Sequence, residues 1–189
     1  MLRALRTIFT PRRRDDVCAR FERSIGPHLD AAYNLARYLT RNDQDAEDVV
    51  QEAIVRAFTF FAGFQGGDCR AWLLTIVRNT GYTLLRRRKS EHTTPFDEDL
   101  HDTGDPAESP ETSLLESYSR ETLRSALQAL PVEFREALIL REMEGMSYRE
   151  IADITGAPMG TVMSRLARAR QRLQVLLTEQ NRKECPNEL

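Results

Sequence analysis

The segment from Gly145 to Leu173, GMSYREIADITGAPMGTVMSRLARARQRL, constrains the fold of this chain more than any other. Ser147 and Glu150 have the S-x-x-E spacing of a capping box, in which each residue satisfies the other's free groups at a helix start. Ile151, Ala152 and Ile154 supply the apolar positions of that helix. Gly156 can adopt the positive φ that ends it. Pro158 suits the first turn of a second helix. The second helix turns Val162 and Leu166 toward a core and spreads Arg165, Arg168, Arg170 and Arg172 around its other sides. A short helix, a tight turn and a basic helix make a helix-turn-helix suited to the major groove. The plainer alternative is an αα-hairpin with a solvated basic face. Cap, turn glycine and arginines coincide in one motif, which favours the DNA-reading form.

A formal net charge of −2 over 189 residues argues against nucleic acid only if the charge is evenly spread. It is not. Glu91, Asp97, Glu98, Asp99, Asp102, Asp105, Glu108 and Glu111 fall in a stretch, Ser90–Leu115, with no Lys or Arg. The remainder is net basic. Cys18, Cys69 and Cys185 are far apart and form no C-x-x-C pair, so neither zinc nor a disulfide framework is expected. Reduced thiols in a cytoplasmic protein are the expectation, and a redox role is not legible. No apolar run approaches the roughly 18 residues of a membrane span, so no stable membrane insertion is expected. The start, MLRALRTIFTPRRR, lacks the sustained apolar core of a signal peptide.

Periodicity predicts an all-α chain in two small helical domains joined by a flexible acidic linker. The expected boundaries are a basic N-terminal extension at 1–14, a helical domain at 15–89, the linker at 90–113, a second helical domain at 114–180 and a tail at 181–189. Pro95, Pro106 and Pro110 punctuate the linker. The first domain shows three clear helices. One carries Leu29, Ala32, Tyr33, Ala36 and Leu39. The next, capped by Asn42 or Asp43, carries Ala46, Val49, Val50, Ala53, Ile54, Ala57, Phe58 and Phe61. The third starts near Asp68 and turns Leu73, Ile76, Val77, Thr80 and Leu84 inward. Four short helices are expected in the second domain. Leu123, Ala126, Leu127 and Leu130 mark the first, and Pro131 opens another that ends at Gly145.

Two further faces carry charge in a pattern. Asp45, Asp48, Gln51 and Glu52 lie together opposite an apolar stripe. Asp48 and Glu52 are like-charged i, i+4 neighbours, an arrangement that costs a few tenths of a kcal/mol and that a basic partner would offset. A solvated acidic face is the alternative. On the third helix, Arg78, Tyr82 and Arg86 form a stripe with Asn79 beside it, while Arg70 and Trp72 stand at the helix start. Basic residues interleaved with aromatic and amide groups suit phosphates and unstacked bases. Core packing of Trp72 and a solvated helix terminus are the alternatives there. His28, His92 and His101 are scattered, and no nucleophile motif, phosphate loop or metal-ligand spacing occurs, so no catalytic residue, metal or cofactor is expected.

Taken in order, DAEDVVQEAIVRAF (Asp45–Phe58), RAWLLTIVRNTGYTLLRRRK (Arg70–Lys89), the acidic spacer and LPVEFREALILREMEGMSYREIADITGAPMGTVMSRLARARQRL (Leu130–Leu173) resemble a bacterial extracytoplasmic-function sigma factor of the sigma-70 family. The resemblance implies that the first domain is region 2 and the second region 4. It implies that Asp45, Asp48, Gln51 and Glu52 dock on the β′ clamp helices of core RNA polymerase. Arg70, Trp72, Arg78, Asn79, Tyr82 and Arg86 would then open and read the minus-ten promoter element. Met159, Gly160, Thr161, Ser164, Arg165 and Arg168 would read the minus-thirty-five element, and region 4 would also meet the β flap. The spacer would thread toward the active-site and RNA-exit path. A cognate anti-sigma factor is the further implied partner. Two other readings compete: a stand-alone helix-turn-helix regulator binding two-fold sites, and an adaptor using only the acidic face. The chain has no heptad seam for a dimer, and an adaptor leaves Arg165–Arg172 unexplained.

Overall fold

The computed structural model of the chain describes residues 11–64, 66–91 and 112–184. Helices α1 (Pro11–Ile25), α2 (Leu29–Thr40), α3 (Asp43–Phe60) and α4 (Cys69–Glu91) come first. Then follow α5 (Thr112–Ala129), α6 (Val132–Leu138), α7 (Tyr148–Thr155) and α8 (Met159–Glu184). Among the described residues there is no strand.

Local chemistry accounts for the helix ends. Arg41 takes a left-handed φ of 61° and closes α2, returning its backbone N–H to the Arg37 carbonyl. Asn42 caps α3, its Oδ1 accepting from the Asp45 N–H at 3.0 Å. Asp68 does the same for α4, accepting from the Arg70 and Ala71 N–H groups at 2.9 and 3.2 Å. The buried face of α3 is built from Ala46, Val49, Ala53 and Ala57, small enough for close helix packing. Gly81 serves the same end on α4. A Cβ there would lie 3.3 Å from Leu39 Cδ1 of α2.

In the later helices, α6 runs on through a π turn at Ile139–Met143 and ends at Gly145, whose φ is +65°. Arg135 is buried in α6 and ties the end of α5 to it, donating from Nη1 to the Gln128 carbonyl at 2.8 Å and the Leu130 carbonyl at 3.4 Å. Burial lowers its pKa to about 10, which leaves it charged at neutral pH.

Three features differ from the sequence expectation. Helix α1 precedes the three expected helices of the first half, reaches back to Pro11, and buries Phe21 and Ile25. Residues 11–14 of the expected basic extension are therefore helical. Helix α8 is long, at 26 residues, because nothing between Met159 and Glu184 breaks it. Most consequential, the two halves are packed together. Helix α2 lies against α6, and α4 against α7. Leu35, Leu39, Leu73 and Val77 share one apolar cluster with Leu130, Leu140, Ile151, Val162 and Leu166. The expected linker falls almost wholly outside the described residues, as do His92, His101 and Cys185.

Candidate nucleic-acid interface

The α7–α8 motif is a complete helix-turn-helix. The Ser147 hydroxyl accepts from the Glu150 N–H at 3.2 Å, and the Ser147 N–H donates to Glu150 Oε2 at 2.6 Å. Hydrogen bonds to it from the Ser147 side chain and then the Ser147 backbone N–H hold the Glu150 carboxyl below its ordinary range. Gly156 turns the chain at φ 63°, and the Thr161 and Val162 N–H groups return to the Pro158 carbonyl at 2.8 and 3.1 Å. Val162, Leu166 and Ala169 face inward. Met159, Gly160, Ser164 and Arg168 are exposed, while Thr161 and Arg165 are half-buried. The opening turns of α8 therefore present the residues expected to read the major groove. The later arginines are engaged within the fold. Arg170 pairs with Glu142 at 2.7 Å, and Arg172 lies over the Phe134 ring, 5.2 Å from its centroid.

On α3, Asp48, Gln51 and Glu52 are exposed. Asp45 is not. It is buried, and its Oδ1 accepts from Arg88 of α4. Placing Asp45 on the exposed acidic face is thus corrected. The register puts it on the α4-facing side, where it fixes the end of the arginine run. The Asp48/Glu52 repulsion is offset locally, because Arg56 pairs with Glu52 at 2.8 Å. On the same helix Val55 and Phe60 are 63% and 66% exposed, a pair the apolar stripe does not predict. Phe58, expected inside, is also exposed, although its edge meets the Phe21 ring.

The α4 stripe is divided. Asn79 and Arg86 are exposed. Trp72 is half-buried in an aromatic cluster, 4.8 Å from Phe64 and 6.4 Å from Phe61 between ring centroids. The other three expected residues meet two acids of the second half. Arg78 Nε donates to Glu136 Oε1 at 2.7 Å, and the Tyr82 hydroxyl donates to Glu136 Oε2 at 3.1 Å. Arg70 pairs with Glu144, whose other oxygen accepts from Asn34 of α2 at 3.3 Å. The side chain of Glu136 has no solvent exposure, and Glu144 retains 5%. Burial pushes the Glu136 carboxyl above its ordinary range, against the opposing pull of Arg78, the Tyr82 hydrogen bond and, further off, Arg165. Burial, and then the Glu136 charge, raises Tyr82 well above the usual phenol range. Neither acid was legible as a site residue, because each is defined by a partner more than fifty positions away in the chain.

Residues 25–91 match the family Sigma-70 region 2, and residues 120–173 match Sigma-70, region 4. The ECF RNA polymerase sigma factor SigE of Mycolicibacterium smegmatis is 38% identical over 157 residues, which are 82% of this chain and 60% of that protein. The ECF RNA polymerase sigma-E factor of Haemophilus influenzae is 35% identical over 148 residues, 74% of this chain and 77% of that protein. Among solved structures, the sigma factor RpoE in complex with the anti-sigma factor NepR from Bartonella quintana aligns with a TM-score of 0.71 at 34% identity, covering 84% of this chain and 96% of that one. CnrH, in complex with the cytosolic domain of CnrY, aligns with a TM-score of 0.61 at 27% identity, covering 84% and 88%. The chain belongs to the sigma-70 family, in its extracytoplasmic-function (ECF) class. Members of this family are non-enzymatic factors of transcription initiation.

Proposed function

We propose that this chain is an alternative sigma factor, acting in the cytoplasm, that binds core RNA polymerase and directs it to a dedicated set of promoters. Asp48, Gln51 and Glu52 dock on the β′ clamp helices. The α4 face, with Arg70, Trp72, Arg78, Asn79, Tyr82 and Arg86, captures the melted minus-ten element. Met159, Gly160, Thr161, Ser164, Arg165 and Arg168 enter the major groove at the minus-thirty-five element. Region 4 also meets the β flap. In this reading region 2 spans 15–89 and region 4 spans 114–180, which the matches at 25–91 and 120–173 support.

One observation carries the reading: a helix-turn-helix with α7 capped at both ends and the opening turns of α8 exposed, in a chain whose two halves match regions 2 and 4 in order. The division of labour has a physical basis. Two weak DNA contacts act as one strong contact only when a scaffold fixes their separation, and the polymerase supplies that scaffold. Unstacking the melted bases is offset by their capture in region 2. Among the described residues no helix is long and apolar enough to cross a membrane. The anti-sigma factor NepR binds the aligned sigma factor RpoE, which supports an anti-sigma partner for this chain.

Run-off transcription with core polymerase and a genomic promoter library tests the proposal. Protein-dependent transcripts that share two upstream elements are expected. Absence of transcripts, together with retention of palindromic DNA by the protein alone, would establish a conventional regulator instead.

A further inference from the structure

We propose that Met159 and Met163 read thymines of the minus-thirty-five element by packing on their 5-methyl groups. The inference rests on the reading of α8 as the major-groove helix. Met163 lies outside the set expected to read DNA, yet it is 46% exposed, and Met159 is 51% exposed. The two are four positions apart and so stand on one face of the helix. Little else occupies the opening turns. Gly160 has no side chain, and a Cβ there would meet nothing within 4 Å. Ala167, also exposed, adds only a methyl. Ser164 is exposed, but its hydroxyl donates its one proton to the Thr161 carbonyl at 2.9 Å. Arg165 is half-buried, and the first exposed arginine of α8 is Arg168. The opening of the reading helix is therefore mainly apolar, despite the arginines that follow it.

Charge selects what covers these two side chains. From Met159 to Thr178 α8 carries no acid. Exposed cations stand on both helices of the motif, Arg149 on α7 and Arg168 on α8. Such a setting fits a polyanion better than an apolar groove of another protein. On a base edge in the major groove the apolar group is the thymine 5-methyl, and apolar side chains are its partners. Methionine suits that contact, because its unbranched thioether chain is pliable and polarizable. One helical turn, about 6 Å of rise, separates the two side chains. Successive bases on a strand stand about 3.4 Å apart, so the two methionines reach different base pairs. Gly160, beside Met159, adds no bulk that would hold either methionine off the groove. The arginines attract the duplex, and the methionines discriminate within it.

The test uses holoenzyme reconstituted from core polymerase and the full chain, on a fluorescein-labelled promoter found by run-off transcription. Each thymine of the minus-thirty-five element, on either strand, is replaced in turn by deoxyuridine. That change deletes the 5-methyl and leaves every hydrogen-bonding group in place. Fluorescence anisotropy measures binding. At one or two thymines the replacement should weaken binding about fourfold, the worth of one buried methyl. Met159→Ala and Met163→Ala should each bind the unmodified promoter more weakly, and each should become insensitive to deoxyuridine at the thymine its methionine covers. Met163→Leu, still apolar, should keep the sensitivity that Met163→Gln loses. Both side chains are exposed, so circular dichroism and thermal unfolding of the variants should match the parent. Insensitivity to deoxyuridine at every thymine overturns the proposal, as does sensitivity that neither alanine variant abolishes. Failure of the underlying reading is separable. If Arg168→Ala and the double methionine variant both bind like the parent, α8 is not the reading helix. If Arg168→Ala loses binding while deoxyuridine changes nothing, only the methyl contact fails.

Discussion

Arg78 and Tyr82, one helical turn apart on α4, converge on the two oxygens of a single carboxylate, Glu136, at 2.7 and 3.1 Å. The arrangement is compact because the guanidinium also stacks on the ring it accompanies. Both residues were expected on a nucleic-acid face, and both are instead tied within the chain.

The phenol of Tyr82 titrates late. Burial first, and the Glu136 charge second, raise its pKa in the folded state above the unfolded value near 10. The folded chain keeps a proton that the unfolded chain releases. The resulting stability is complete below pH about 10 and is lost as pH rises through the folded pKa. Ultraviolet difference titration should show a tyrosine that ionises only at higher pH than the rest. Tyr82→Phe should remove that late component and flatten the alkaline fall in stability. Unchanged titration in Tyr82→Phe would mean the late phenol is another residue.

Asp45 and Glu52 should separate stability from partner binding. Removing the nearly buried Asp45 carboxylate deprives Arg88, whose side chain keeps 40% exposure, of its partner, and Asp45→Ala should cost about 0.5–1.5 kcal/mol in urea unfolding. Glu52 makes an exposed i, i+4 pair, so Glu52→Ala should change stability by less than about 0.5 kcal/mol. In competition binding to core polymerase, Glu52→Ala should lose affinity. Equal polymerase binding by Glu52→Ala and the parent would remove Glu52 from the docking face.

The α8 arginines divide in the same way. Arg168 is exposed on the opening half of the helix, whereas Arg172 lies over Phe134. Arg168→Ala should weaken holoenzyme binding to minus-thirty-five DNA and lower the salt slope by about 1 if it contacts a phosphate. Arg172→Ala should leave DNA binding near the parent level and cost about 0.5–1 kcal/mol of stability. The opposite ranking in a salt-dependent binding series would move the recognition surface along α8.

Ser147 carries a cap that can be weighed directly. Ser147→Ala removes the acceptor for the Glu150 N–H and should cost about 1 kcal/mol by thermal unfolding. Ser147→Asp, which retains an acceptor near the positive end of α7, should recover most of it. A Ser147→Asp chain no more stable than Ser147→Ala would show that the cap contributes little.

The α7–α8 motif was legible because its determinants are local. A cap, a glycine with positive φ and an apolar stripe lie within a few residues of one another. Helix α3 was legible for the same reason, and of its two expected caps, Asn42 and Asp43, Asn42 takes the role. Helix α1 escaped because Phe21 and Ile25 make too short a stripe among charged residues to stand out. The side on which Asp45 lies could not be read from spacing, since Arg88 decides it from the end of α4. Glu136 and Glu144 escaped for a stronger reason. In sequence they are ordinary helix and turn acids. Only the packing of the second half on the first makes them partners of α4.

The apolar cluster that spans both halves gives their contact a temperature signature. Parting the halves wets apolar surface, so the heat capacity of the chain rises on opening. The apolar part of the association weakens on cooling, as hydrophobic association does near room temperature. The ion pairs supply register and sign, while solvent entropy supplies a grip that loosens in the cold.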